Sequence, residues 1–381
     1  MYMFLYLVLS YCMRSMISMK ILLVEPKYYT QFPPLGLLKL SSYYKSLGNE
    51  TLLVKGEVLP TFVPDKVFIT SLFTWAWKPV WDSVKYYKMM FPHAEVVLGG
   101  LYASLLPEHA KKSGADTVYQ GLFSEAEDLM PDYSLLESSD YKLWREWDGS
   151  IIFSSRGCIF NCPFCVVPKL EGKINSMKPS IKHLVYPKYK RIIFFDNNIL
   201  ASKYWREIFN ELIELKKLVD FNQGIDARLI TDEVASYLAK IRIEKVVRIA
   251  YDEINRREYV KRAIDLLNAH GISGRKIMVY TLYNFNDSPE DFFERVRDVI
   301  NWGAVAYPMC FQPPNSLRKN SYISEKWTAE KLEMVQQARR VIGFGGAFPP
   351  YEGLKIKFNK AQTFEEAFAL RPKLKILPSY K

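Results

Sequence analysis

Short apolar runs alternate with amphipathic, helix-spaced stretches over most of the chain from Lys20 to Phe311, and this alternation constrains the fold more than any other feature. In the first part the strand-like runs are Ile21 to Val24, Thr51 to Val54, Val67 to Thr70, Glu95 to Leu98 and Thr117 to Tyr119, and the helical stretches are Leu35 to Leu47, Val80 to Met90 and Ser104 to Ser113. Strands separated by helices need right-handed crossovers and give a parallel sheet. A doubly wound, Rossmann-like domain is therefore expected over 19–130. Gly48 suits a helix C-cap, while Gly99-Gly100 marks either a tight strand-to-helix turn or a close approach of another group. Residues 131–149 lack a sustained period and are read as a linker.

The alternation then resumes with strands at Ile151 to Ser154, Arg191 to Phe195, Asp220 to Ile225, Val246 to Tyr251, Lys276 to Leu282 and Ala304 to Phe311. Helical spacing covers Tyr204 to Lys216, Asp232 to Lys240, Arg257 to Ala269 and Pro289 to Asn301. Six strand-helix repeats fall short of an eight-fold barrel, so a partial (β/α)6 TIM-type barrel is predicted over 150–312. The remainder, 313–381, reads as a helical and basic extension with one clear helix, Ala329 to Val341, then a Gly- and Pro-rich stretch and a run with Lys355, Lys357, Lys360, Arg371, Lys373, Lys375 and Lys381.

Hydrophobic residues make up 49% and aromatics 15% of the 381 residues, which excludes a disordered chain. The net charge of +11 favours acidic partners or, more simply, gives a solvated basic surface. The apolar run Tyr2 to Met13 stops at Arg14, short of the ~20 residues needed to span a bilayer, and the flanks of a signal peptide are missing. Residues 1–18 are read as an upstream extension with translation starting near Met19; a weak membrane anchor is the alternative, and no stable membrane insertion is expected. Five cysteines are too few for a secreted disulfide framework, so a reducing cytoplasm is the expected compartment.

Three of those cysteines form the motif Cys158-x-x-x-Cys162-x-x-Cys165, directly after a barrel strand. The strand's C-terminal end is where such folds carry their chemistry. Three thiolates so spaced can ligate three irons of a four-iron cluster and leave the fourth iron open to another ligand. Structural zinc would want a fourth ligand nearby, and the nearest histidine is His183. Further polar residues cluster at later strand ends. Gln223, Asp226 and Arg228, and Arg248 with Asp252, are candidates for the barrel mouth, where a carboxylate or amide suits a ribose and an Arg fork suits a carboxylate; a rim ion pair between Asp226 and Arg228 is the structural alternative. Tyr280, Tyr283, Asn284 and Asn286 are substrate-side candidates on the same reasoning. Cys310 is either a thiol facing the barrel or a small buried hydrophobe, and His93, His109 and His270 are read as structural or surface residues.

The cysteine motif, Phe164 just before its last cysteine and the six strand-helix repeats resemble the radical S-adenosylmethionine superfamily. The resemblance implies a 4Fe-4S cluster on Cys158, Cys162 and Cys165, S-adenosylmethionine chelated by the open iron, and cleavage to a 5′-deoxyadenosyl radical acting on an undetermined substrate. It places Phe164 near the adenine, and Asp196-Asn197-Asn198 where the family has a Gly-Gly-Glu stretch that meets the methionine amino group. It also implies a reducing electron donor of the flavodoxin or ferredoxin type.

Phe32-Pro33-Pro34-Leu35-Gly36, Thr70-Ser71-Leu72-Phe73-Thr74 and Gly99-Gly100 resemble the cobalamin-binding-type domain of one branch of that superfamily. The branch's Asp-x-His-x-x-Gly signature is absent and no histidine precedes His93, so axial ligation from that loop is excluded. A vestigial scaffold is expected, with cobalamin bound without an axial histidine as the alternative; methyl transfer follows if cobalamin binds. RNA or peptide are the open substrate classes, RNA being favoured only by the basic tail and charge. The rival reading is a non-catalytic iron-sulfur electron carrier or redox sensor, which would have no need of a six-repeat pocket.

Overall fold

A computed structural model describes residues 18–343 and 351–370. The expected extension before Ser18, part of the Gly- and Pro-rich stretch, and Arg371, Lys373, Lys375 and Lys381 lie outside the described residues. The fold is α/β and divides into two compact units.

The N-terminal unit is built on strands β1 (Lys20–Glu25), β2 (Glu50–Lys55), β3 (Lys66–Ser71), β4 (Glu95–Gly100) and β5 (Thr117–Val118), all parallel in the order β2-β1-β3-β4-β5. Ile21, Leu22, Leu23 and Val24 are fully buried, as a central strand covered on both faces requires. The main crossover helices are α1 (Leu35–Ser46) and α2 (Trp77–Met90). The single helix expected over Ser104 to Ser113 is instead a pair, α3 (Leu101–Leu105) and α4 (Pro107–Lys111), because Pro107 cannot donate to the preceding turn and starts a new helix. Gly100 is at φ +99, and a Cβ there would stand 2.5 Å from Ser71 O, so the close neighbour is the adjacent strand's own backbone.

Of residues 131–149, expected as a linker, 131–148 lie within this unit and carry two one-turn helices, α5 (Ser134–Glu137) and α6 (Lys142–Arg145), too short to show a period in sequence. Asp132 ties the segment to α1 by accepting from Ser41 Oγ at 2.6 Å and pairing with Lys45 at 2.7 Å. His183–Lys188 and Pro314–Lys319 also belong to this unit.

In the second unit, β6 (Gly149–Ile152), β9 (Arg191–Phe194) and β10 (Leu218–Phe221) make one parallel sheet, and β11 (Val247–Ala250), β12 (Ile277–Tyr283) and β13 (Val305–Cys310) another. These are the six predicted strands, each paired with its sequence neighbour within its own sheet, as in a (β/α) barrel wall. They form two three-stranded sheets and not one closed ladder, and after β10 the chain reaches β11 through Ile225 N donating to Arg248 O at 2.8 Å. A two-residue antiparallel ladder, β7 (Ser155–Arg156) with β8 (Asn175–Ser176), and the one-turn helix α7 (Val167–Leu170) lie between β6 and β9.

The wall helices are α8 (Trp205–Leu215), α9 (Asp232–Lys240), α10 (Arg257–Ala269) and α11 (Pro289–Asn301). After β13 come α12 (Ala329–Gly343), α13 (Tyr351–Lys360) and α14 (Phe364–Phe368). Leu354, Phe358, Phe364 and Phe368 are buried, so part of the C-terminal extension is core, with Lys355, Lys357 and Lys360 on the outer faces of α13. No helix among the described residues is long and apolar enough to cross a membrane.

Candidate metal and cofactor site

The cysteine loop is fixed at its base by a carboxylate. Ser154 and Ser155, just past the end of β6, donate backbone N–H and hydroxyl groups to Asp196, the two hydroxyls at 2.6 and 2.7 Å. Burial pushes the Asp196 carboxyl above its ordinary range while the serine donors pull it back. The β7–β8 ladder then closes the loop. Glu171 braces the inside, accepting from Gly157 N at 2.9 Å, Asn197 Nδ2 at 2.8 Å and Arg156 Nη1 at 3.2 Å.

Gly157 turns the chain into Cys158 at φ +77, and a Cβ there would lie 2.3 Å from Lys173 O. Gly157→Ala is therefore expected to destabilise the protein by roughly 1–3 kcal/mol from backbone strain alone, and to add a steric overlap that displaces Cys158. Gly172, at φ +73 with open space at its Cβ, is the control that carries only the strain. Iron bound per chain after anaerobic reconstitution should fall in Gly157→Ala and be largely kept in Gly172→Ala; equal iron in the two variants would refute the overlap argument.

Beyond this loop a cavity of about 200 Å³ is walled by Cys158, Cys162 and Cys165 together with Phe164, Asn197, Asn198, Gln223, Asp226 and Arg228. All nine are sequence candidates, drawn from the loop after β6 and from the segments after β9 and β10. Asp252, just past β11, and Tyr280, midway along β12, add to the wall, with Arg256 and Tyr259 following β11. Phe164 packs edge-on against Phe285, ring centroids 5.8 Å apart.

Five candidates do not line the cavity: Asp196, Arg248, Tyr283, Asn284 and Asn286. Asp196 spends its carboxylate on Ser154 and Ser155, and Arg248 pairs with Asp220 of β10. Asp226 and Arg228 form a two-point ion pair, at 2.8 and 2.6 Å, that itself lines the cavity, with the guanidinium stacked 3.3 Å from the Phe160 centroid. Tyr283 is buried against Phe292 and Trp327, and Asn284 donates to Phe311 O and Tyr322 O. Cys310 accepts from the Asn284 and Gln312 side-chain amides at 3.6 Å each.

Donors converge on the cysteine sulfurs. Phe160 N lies 3.4 Å and Asn198 Nδ2 3.6 Å from Cys158 Sγ, and Arg256 Nη2 lies 3.8 Å from Cys162 Sγ. Such donors stabilise thiolates and metal-bound sulfur. Burial, then the charges of Cys162, Cys158 and Asp252, raise the Cys165 thiol above its ordinary value. Burial also pushes the Asp252 carboxyl up to about 6, against the pull of Arg256 and Arg295. Asn198 is 3% exposed, and its Oδ1 has no hydrogen-bond partner.

Among the described residues no group of three or more His, Cys, Asp or Glu is arranged around a single metal ion. A zinc site needs that convergence, whereas a cubane takes one thiolate per iron and needs separate cysteines around one space. Three cysteines lining one cavity are a donor set that a cubane could use, one thiolate per iron.

Sequence reasoning does not single out Arg256 or Phe160. Arg256 sits in a single turn before α10, where no periodicity marks an inward side chain, and Phe160 reads as an ordinary apolar residue of the motif. The histidines are engaged elsewhere: His109 with Tyr102 OH at 2.6 Å, His183 with Asp128 at 2.7 Å and His270 with Asp232 at 2.8 Å.

No protein-family profile matches the chain. Over 263 residues it is 21% identical to the bacteriochlorophyllide d C-12(1)-methyltransferase of Chlorobaculum tepidum, covering 56% of either chain. Over 150 residues it is 29% identical to the bacteriochlorophyllide d C-8(2)-methyltransferase of the same organism, covering 32% of this chain and 33% of that one. The match thus spans about half the length of the first of these curated relatives and a third of the second. Among solved structures, the fold is similar to that of the radical S-adenosylmethionine methyltransferase TsrM from Kitasatospora setae, solved with tryptophan substrate and aza-SAM bound, at a TM-score of 0.58 and 15% identity over 78% of this chain and 75% of TsrM. The chain therefore shares the fold of a radical S-adenosylmethionine methyltransferase and is distantly similar in sequence to two further methyltransferases.

Proposed function

We propose that this chain is a radical S-adenosylmethionine enzyme of the methyl-transfer class, with a 4Fe-4S cluster on Cys158, Cys162 and Cys165. The observation that carries the reading is the opening of three cysteines from one loop onto a single cavity at the C-terminal ends of parallel strands, with amide and guanidinium donors against their sulfurs. The distant similarity to methyltransferases supports the class of reaction. When bound, the cluster would supply one electron to the sulfonium of S-adenosylmethionine.

The chain's own residues would bind and orient the ligand. The unpartnered Oδ1 of Asn198 is an acceptor for the methionine ammonium, the work of the acidic residue in the family's Gly-Gly-Glu stretch. Arg228, neutralised in part by Asp226, offers a fork to the carboxylate. Ile225 and Val260 give an apolar wall for adenine and keep water from the sulfonium. Gln223 and Asp252 are the polar groups left to meet the ribose or the substrate.

For cobalamin, the histidines of the N-terminal unit do not fit an axial role. His93 precedes β4, at the opposite end of the sheet from the ligand-binding edge, while His109 and His183 are held by Tyr102 and Asp128. We route no step through cobalamin.

The test is anaerobic reconstitution with iron and sulfide, reduction with dithionite and addition of S-adenosylmethionine. Formation of 5′-deoxyadenosine or S-adenosylhomocysteine is expected; a fully loaded protein that yields neither would overturn the proposal.

A further inference from the structure

A second cavity, of about 570 Å³, lies wholly within the N-terminal unit and is lined by Trp75, Trp77, Lys78, Leu317, Arg318 and Lys319. Its volume is in the range of small-molecule pockets. It lies just beyond the C-terminal end of β3, the end at which open parallel sheets receive ligands. The wall is built and not incidental. Thr74 Oγ1 lies 2.9 and 2.7 Å from the carbonyls of Pro314 and Ser316, which fastens the 314–319 segment beside the start of α2. Trp75 is stacked on Phe73 with centroids 4.8 Å apart and planes at 16°, which fixes its ring.

The charge here is one-sided. Among the described residues no acidic side chain lines the cavity, and neither Lys78 nor Lys319 has a carboxylate partner. The nearest aromatic groups to their ammonium nitrogens are indoles instead: Lys319 Nζ is 4.6 Å from the Trp75 centroid and Lys78 Nζ 5.7 Å from that of Trp77. Helix α2 has 14 residues, continues directly from the single helical turn Thr74–Ala76, and has neither a side-chain cap nor an acid in its first turn, so its positive end adds to the same field. Two lysines without carboxylate partners, each beside an indole, suit a ligand that is both anionic and aromatic.

We infer that this cavity binds a heteroaromatic phosphate of mononucleotide size, its ring against the indoles of Trp75 and Trp77 and its phosphate toward Lys78, Arg318 and Lys319. The inference does not rest on the reading of the cysteine site, whose residues all belong to the other unit.

The experiment titrates the full chain with adenosine 5′-monophosphate, with inorganic phosphate and adenosine as separate arms, followed by calorimetry and intrinsic tryptophan fluorescence. Saturable binding of the monophosphate, at least about tenfold tighter than either half alone, is expected, because ring and phosphate are both used. Lys78→Gln/Lys319→Gln, which alters only side chains at the cavity, should weaken it about tenfold at low salt and flatten its salt dependence. Trp75→Leu should weaken it by about tenfold, and Trp75→Phe should restore most of the loss. Inorganic phosphate binding as tightly as the monophosphate, binding untouched by the lysine pair, or no saturable binding at all would each overturn the inference.

Discussion

Cys162→Ala is expected to leave a folded protein that no longer assembles an iron-sulfur cluster, seen as loss of the visible thiolate-to-iron absorption after anaerobic reconstitution. The side chain lies on a cavity wall and not in either core, so truncating it should change stability by no more than about 0.5 kcal/mol, as at other positions outside the core. Its chemistry cannot be spared in the same way. Among the described residues only Cys158, Cys162 and Cys165 open thiols on the cavity, and losing one should cost more than the roughly 10–100-fold that loss of a supporting residue costs a metal site. Arg256 would also lose the sulfur its guanidinium faces at 3.8 Å. Cys310→Ala is the matched control: its sulfur takes amide donors from Asn284 and Gln312, away from the cavity, and should load normally. Equal iron in the two variants would remove the basis for assigning the cluster to the motif.

Elements with local chemical punctuation were legible to the residue. Helices α9, α10 and α11 begin and end where periodicity put them, and two of them carry caps visible in sequence: Thr231 accepts from Val234 N, and Ser288 with Asp291 forms a capping box around Pro289. The two-residue strands β7 and β8 could not be seen, because a ladder that short has no period. Nor could the return of Pro314–Lys319 to the N-terminal unit, which depends on a hydroxyl some 240 residues earlier in the chain.

The site was legible where strand ends deliver several polar residues together, as at Asn197-Asn198 and Gln223 to Arg228. It was not legible which of them would be consumed structurally. Asp196 and Asn197 are sequence neighbours, yet the first faces two serine hydroxyls and the second lines the cavity. Arg248 of β11 and Asp220 of β10 satisfy each other, a pairing set by register across a sheet boundary that sequence spacing does not encode.

The largest stability effect is expected at Arg295, a fully buried guanidinium on α11. Its Nη1 donates to Tyr251 O and Leu282 O at 2.8 Å each, and its Nη2 to Asp287 at 2.6 Å. It therefore clamps the C-terminal ends of β11 and β12 against the helix that covers them. Burial works against the charged form of both partners, raising the Asp287 carboxyl and lowering the Arg295 guanidinium, and their proximity offsets it. Arg295→Met leaves Asp287 buried without its cation and two carbonyls without their donor, which should cost about 3–5 kcal/mol in chemical denaturation.

Arg295→Met/Asp287→Asn should recover part of that loss, since the second change removes the stranded charge. Arg295→Lys keeps the charge but not the fork, and should fall between wild type and Arg295→Met. The effect should also reach the cavity. Tyr251 O anchors the residue just before Asp252, and Arg295 is one of the charges that hold the Asp252 carboxyl down. A loss below about 1 kcal/mol for Arg295→Met, or no recovery in the double variant, would show that the strand ends are held by their own ladder and that this buried cation is not their brace.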